Sequence, residues 1–224
     1  MAASSALASM PRRVQARGEA TRLRILDETL ACIAEEGYER TTTVRVCERA
    51  GTARGSLLHQ FPSRAALMAA AVAHLFERLT ADYVAACAAL RADAVRGIAR
   101  RVEVLGELLL AGYADPRLAA VLDVYAAART DGELMAALKP VAARHRKAVL
   151  ALAHELFPAT ATSKRAARRL SVVLDALQGV AFRGVVNRDG ARETIEGAKE
   201  ILLEVFTEVG GESALRDARR ARSS

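Results

Sequence analysis

The sequence predicts an all-α chain: a small N-terminal three-helix unit followed by a larger helical body. Three observations predict it. Alanine, the strongest helix former, supplies 49 of the 224 residues. Glycine and proline are sparse, at 14 and 5 residues. Apolar residues recur at three- and four-residue steps, while aromatic residues are only 4% of the chain with no tryptophan, poor material for a β-sandwich.

The elements follow in order. Residues 1–18 are small and polar, then arginine-rich, with no apolar period, and read as a flexible basic arm. Over 19–36, Leu23, Leu26, Leu30, Ile33 and Ala34 form the stripe of an amphipathic helix that stops at Gly37. A short helix follows over 43–50, capped by Thr42 or Thr43, with Val44, Cys47 and Ala50 as its apolar side and Gly51 as its stop. The next begins almost at once, with Thr52 as a candidate cap, and covers 54–60 before Phe61 and Pro62. Two short helices joined by a glycine-containing turn of about three residues are a helix-turn-helix arrangement. Leu57 points inward from the second helix, and Phe61 closes the small core against Tyr38 and the Leu26/Leu30 face.

Ser63 caps a long helix through Leu67, Val72, Leu75, Phe76, Leu79 and Tyr83 toward Leu90. The body then reads as helices over 94–111, 116–128, 131–138, 141–157, 164–186 and 191–209, divided by Gly112, Gly132, Pro140, Pro158 and the stretch 187–190. The last two carry wide apolar stripes, Leu170, Val173, Leu174, Leu177, Val180 and Ala181, then Ile195, Ile201, Leu202, Val205 and Phe206. Stripes that wide bury against more than one neighbour, so both helices are expected at a homodimer interface. The domain division is 1–18 arm, 19–62 helix-turn-helix domain, 63–210 helical body and 211–224 flexible tail.

Charge narrows the function classes. The chain carries 33 Lys+Arg against 26 Asp+Glu, a net +7, and the excess sits in the N-terminal third. Five arginines face Glu19 alone over 10–24, and five more face Glu48 alone over 40–64. Arginine's planar fork suits phosphate oxygens and guanine edges. The longest uncharged apolar run, 65–76, is far short of the roughly 20 residues of a membrane span. The start of the chain lacks a secretory signal's basic-then-apolar order, so a cytoplasmic protein is expected. Cys32, Cys47 and Cys87 have no C-x-x-C spacing and read as buried thiols. His74, His145 and His154 have no metal-ligand spacing, no cofactor motif is present, and no catalytic constellation has recognisable local context, so neither a metal, a cofactor nor enzymatic activity is expected.

Gly37-Tyr38, Thr41 to Thr43, Ala50-Gly51 and Gly55-Ser56-Leu57-Leu58-His59-Gln60-Phe61, with Arg64 and Leu67 after them, resemble the DNA-binding domain of the TetR family. The resemblance covers 17–71. It implies a homodimeric regulator, more often a repressor, that binds double-stranded operator DNA and an unidentified small-molecule effector. Thr42, Thr43 and Arg45 would anchor phosphates, Arg54, Gly55, Ser56, His59 and Gln60 would face the major groove, and Arg64 would hold the DNA backbone. Three residues depart from the family pattern: Thr52, Ala53 and Leu58 stand where it has Val, Ser and Tyr. Thr52 is expected to take over the cap, and Leu58 suits a thymine methyl. In the body, Tyr83, Tyr113, Asp123, Tyr125, Arg129, Gln178 and Phe182 are the candidate lining of an effector cavity, with ordinary core packing as the alternative for the tyrosines. The competing class is a helical small-molecule-binding protein or enzyme without sequence-specific DNA binding.

Overall fold

In a computed structural model of the chain, the described residues are 12–92, 116–156 and 163–186, with 101, 103, 104, 107, 108, 193, 196, 197, 200, 201 and 204 individually. Among them the elements are α1 (Arg12–Glu36), α2 (Thr43–Ala50), α3 (Arg54–Gln60), α4 (Arg64–Ala92), α5 (Pro116–Ala128), α6 (Gly132–Leu156) and α7 (Lys164–Val186), with no strand. The all-α class expected from composition and period is the class observed. The expected helices over 94–111 and 191–209, residues 1–11 of the arm and the tail 211–224 lie outside the continuously described residues.

Two compact units divide the chain: Met1–His74 with Ala120–Val141, and Leu75–Ala119 with Ala142–Ser224. The sequence division at residue 62 follows the motif, whereas packing draws the first turns of α4 and a later segment into the first unit. The division falls inside α4, α5 and α6.

The first unit is built around α1. Ile25, Leu26, Leu30 and Ile33 are buried at the 3.6-residue period, along with Val46, Cys47, Ala50, Leu57, Phe61, Leu67, Met68 and Val72. Gly37 ends α1 in the left-handed region at φ 85°, which costs a glycine little, and its N–H donates to the Ile33 carbonyl at 2.9 Å. Thr42 then caps α2, its hydroxyl accepting from the Arg45 N–H at 3.1 Å. Gly51 closes α2 at φ 57°, where the Gly51 and Thr52 N–H groups donate to the Glu48 and Cys47 carbonyls at 3.4 and 3.1 Å. Ser63 caps α4 by accepting from the Ala66 N–H at 3.1 Å. Arg24 Nε donates to the Ala50 carbonyl at 2.8 Å, tying the middle of α1 to the last turn of α2.

Four expectations change. Helix α1 begins at Arg12, so 12–18 are helical rather than part of a flexible arm. Ala16, Arg17 and Gly18 in that stretch are exposed, so they contribute nothing to an apolar period. On α2 the buried side is Val46, Cys47 and Ala50, while Val44 is 49% exposed. Ala53, not Thr52, is the N-cap of α3, with no side-chain cap bond. Pro140 does not divide two helices but lies inside α6. Pro140 and Ala136 are both exposed, so water can solvate the carbonyl that proline leaves without a donor.

In the second unit, the Phe76 ring stacks on His145 at 3.9 Å between centroids and 11° between planes. Thr80 Oγ1 lies 3.5 Å from His145 Nδ1. Burial pushes the His145 imidazole down to about 4. Cys87, Ala153, Ala166, Leu170, Val173 and Leu174 are buried in this unit, and Arg146 pairs with Asp175 and donates to Ser171.

Candidate nucleic-acid interface

Leu57 is wholly buried and fixes how α3 faces outward. At 100° per residue, Gly55 and His59 lie opposite Leu57, with Arg54 and Leu58 on one flank and Ser56 and Gln60 on the other. Arg54, Gly55, Ser56 and His59 are exposed, and Leu58 is 40% exposed. Gln60 departs from the outward set: it is half-buried, and its Oε1 is buried without a partner among the described residues. The surface of α3 therefore offers a guanidinium, a hydroxyl, an imidazole and one isobutyl group over two turns.

The residues proposed to anchor phosphates sit differently. Thr42 is exposed at the start of α2 with its hydroxyl engaged as the cap, and Thr43 is half-buried. Arg45 is 44% exposed, but its Nε and Nη2 donate to Glu36 at 2.9 and 2.8 Å, and Nη1 lies 3.5 Å from Glu48. The pairing raises the Arg45 guanidinium and lowers the Glu36 carboxyl from their ordinary values. Arg64 turns inward: Nη2 and Nε donate to the Tyr38 and Thr41 carbonyls at 2.6 and 3.2 Å, and the guanidinium lies 4.0 Å from the centre of the Tyr38 ring. This locks the Gly37–Tyr38 corner to the start of α4.

Sequence reading missed the electrostatic frame under this surface. Arg49 donates to Glu28 at 2.9 Å and to Glu35, and Glu36 is 3.6 Å away. Hydrogen bonds from Arg49 hold the Glu35 carboxyl below its usual range. The signal was present: Glu28, Glu35 and Glu36 recur at seven- and eight-residue steps on α1, and Arg45 and Arg49 at four on α2. Four of the five arginines over 40–64, all but Arg54, thus direct donors to the chain's own carboxylates or carbonyls. The basic character of the exposed face rests more on Arg54 than the arginine count implies.

The candidate effector residues are distributed over both units. Tyr83 is half-buried in the second unit, its hydroxyl pushed up to about 12 by burial and the nearby Asp82 charge. Asp123, Tyr125 and Arg129 belong to the first unit and are exposed, Tyr125 at 37%. Tyr113 and the side chains of Gln178 and Phe182 lie outside the described residues. The dimer stripe is also revised: Leu170, Val173 and Leu174 are buried within the chain itself, because the inward face of α7 closes its own unit. Ile201 is 53% exposed and Val172, absent from the predicted stripe, 62%. The side chains of Leu177, Val180, Ala181, Leu202 and Val205 lie outside the described residues. Cys32, Cys47 and Cys87 are buried thiols in no disulfide, and burial raises Cys32 and Cys47. His74 Nε2 meets Asp27 Oδ1 at 3.1 Å.

Comparison with known proteins adds to this geometry. Residues 25–71 match the model of the tetR family of bacterial regulatory proteins. A 58-residue stretch is 47% identical to the HTH-type transcriptional repressor KstR of Rhodococcus jostii (strain RHA1), covering 26% of this chain and 27% of that one. A TetR-family transcriptional regulator from Rhodococcus sp. superposes with a TM-score of 0.65 at 19% identity, over 82% of this chain and 98% of that chain, a likeness of fold. The multidrug binding protein EbrR, solved with imidazole, superposes with a TM-score of 0.55 at 25% identity, over 79% and 93% of the two chains. The match to KstR spans about a quarter of that repressor's length. The three-helix fold and the match over residues 25–71 identify the N-terminal part of the chain as a domain of the tetR-family type.

Proposed function

We propose that the chain is a cytoplasmic transcriptional regulator that represses as a homodimer on a near-palindromic operator and answers to a small organic effector held by its helical body, residues 63–210. The observation that carries this reading is the outward row of α3, where Arg54, Ser56, Leu58 and His59 stand exposed around Gly55 on a helix anchored by buried Leu57. Arg54 forks onto a guanine edge or a phosphate, while Ser56 and His59 donate to base edges or the backbone. Thr42, Thr43 and Arg45 approach phosphates from α2, Arg45 by exchanging Glu36 for a phosphate oxygen. Arg64 supports the surface from its edge through the Tyr38 corner, and Gln60 stands half-buried at the end of α3.

Two copies must present α3 to successive major-groove faces, which sets half-site centres about 34 to 36 Å apart, or a multiple of that spacing. Exposed Val172 and Ile201 supply apolar surface for the homodimer. The drug-binding relative EbrR supports a small-molecule effector, and the repressor KstR supports the negative sign of regulation. No helix among the described residues is long and apolar enough to cross a membrane.

The test is selection of bound duplexes from a random pool, then titration of the winner against its scrambled sequence at two salt concentrations, with the complex mass from sedimentation. A palindromic winner bound by two chains supports the reading. Weak, salt-sensitive binding indifferent to sequence overturns it and leaves the helical small-molecule binder without specific DNA recognition.

A further inference from the structure

Gly55 and Leu58 are neighbours on the exposed side of α3, three residues apart and therefore on adjoining turns. Neither belongs to the buried core. Leu58 leaves 40% of its surface in water on the same flank as Arg54, while Leu57 is wholly buried below. Gly55 has no positive φ, and a Cβ built there meets nothing within 4 Å, so neither backbone conformation nor internal packing calls for glycine. Within a helix glycine is less stable than alanine. The missing side chain instead exposes the helix backbone beside the Leu58 side chain to whatever approaches from outside.

We propose that Gly55 and Leu58 form an apolar notch on α3 that receives the C5-methyl group of a thymine, setting a T·A pair at one position of each half-site. The inference rests on the DNA-binding reading above. Leu58 has no donor or acceptor, so it cannot read a base by hydrogen bonding, and the thymine methyl is the apolar feature that the major-groove edges offer. Its neighbours are cationic or hydrogen-bonding, which suits a nucleic-acid edge better than an apolar protein surface. A Cβ at Gly55 would stand where the methyl enters.

The experiment replaces each thymine of a selected duplex by deoxyuridine, which removes the methyl and keeps every hydrogen-bonding group. Affinities are compared for the unmodified protein and for Leu58→Ala, Gly55→Ala and Val44→Ala. At one thymine per half-site the unmodified protein should lose about fourfold, which corresponds to ~0.8 kcal/mol for one methyl-sized group. Leu58→Ala should bind the two duplexes equally at that position and keep its response at the others. Gly55→Ala should hold or raise the thermal midpoint yet bind the thymine duplex at least fivefold more weakly. Val44→Ala removes exposed apolar surface from α2 and should leave the thymine-to-uracil ratio unchanged. A ratio of one at every thymine, a selected site without thymine, a ratio that survives Leu58→Ala, a ratio lost in Val44→Ala, or undiminished binding by Gly55→Ala overturns the notch while the regulator reading stands. Failure to select any duplex overturns both.

Discussion

His145 carries the clearest pH consequence at the scale of a single residue. Stacked on Phe76 and half-buried, it titrates near about 4 in the folded chain against 6.5 for an ordinary imidazole. Between those values the unfolded chain binds a proton that the folded one refuses, so stability rises with pH through the window and is lost as pH falls through it. The slope is at most ~1.4 kcal/mol per pH unit for one such group. Urea unfolding at pH 4.5, 5.5 and 7 should show a shallower dependence for His145→Gln than for the unmodified protein; equal slopes would remove this imidazole as a cause. None of this was legible in sequence, because a histidine's neighbours across 65 residues, Thr80 among them, carry no local signal. Leu57 was legible: on a seven-residue helix with polar flanks, one of two adjacent leucines had to face in, and the helical period selected it.

At the scale of elements, caps and breakers were read well where they act locally. Thr42, Gly37, Gly51 and Ser63 each do what their residue type predicts, through bonds spanning five residues or fewer. The start of α3 was misread because Thr52 completes the close of α2, which moves the cap to Ala53. Ala53 has φ −72° and ψ 142°, extended geometry in which a serine hydroxyl could accept from the open first turn. Ala53→Ser should therefore stabilise the chain by ~1 kcal/mol, and Gly51→Ala should cost ~1 kcal/mol at a left-handed position. Thermal melts of both variants check the pair. On α7 the revised burial separates two substitutions that sequence would have treated alike. Leu174→Glu puts a carboxylate into the core and should lower stability by ~3 kcal/mol or more, seen as an early melt. Val172→Glu should leave the melt unchanged within ~0.5 kcal/mol and shift sedimentation toward the monomer. A dimeric, well-folded Leu174→Glu variant would contradict the burial of that side chain.

At the scale of the whole molecule, net charge overstates the DNA-facing field. The chain is +7, but Arg45, Arg49 and Arg64 are engaged by their own fold. Arg54→Ala should weaken a selected duplex by ~1–3 kcal/mol and relax discrimination at the base it meets. Arg49→Met should lower the thermal midpoint while leaving the slope of log affinity against log salt unchanged, since its guanidinium already faces Glu28 and Glu35. A slope reduced by about 0.9 in Arg49→Met would mean that this arginine neutralises a phosphate after all.

The sequence by itself determined the helical class, the positions of the short N-terminal helices and their stops, and the exposed row on α3, because each depends on propensity, period or a hydrogen bond within a few residues. Tertiary structure alone decided which valine of α2 is buried, which arginines are spent on carboxylates, that α6 continues through Pro140, and that Leu170 and Leu174 close the chain's own core. Those outcomes turn on partners such as Glu28 for Arg49 and Ala50 for Arg24, 21 and 26 residues away. Burial and ion pairing are set by what folding brings alongside, and a local pattern holds no record of it.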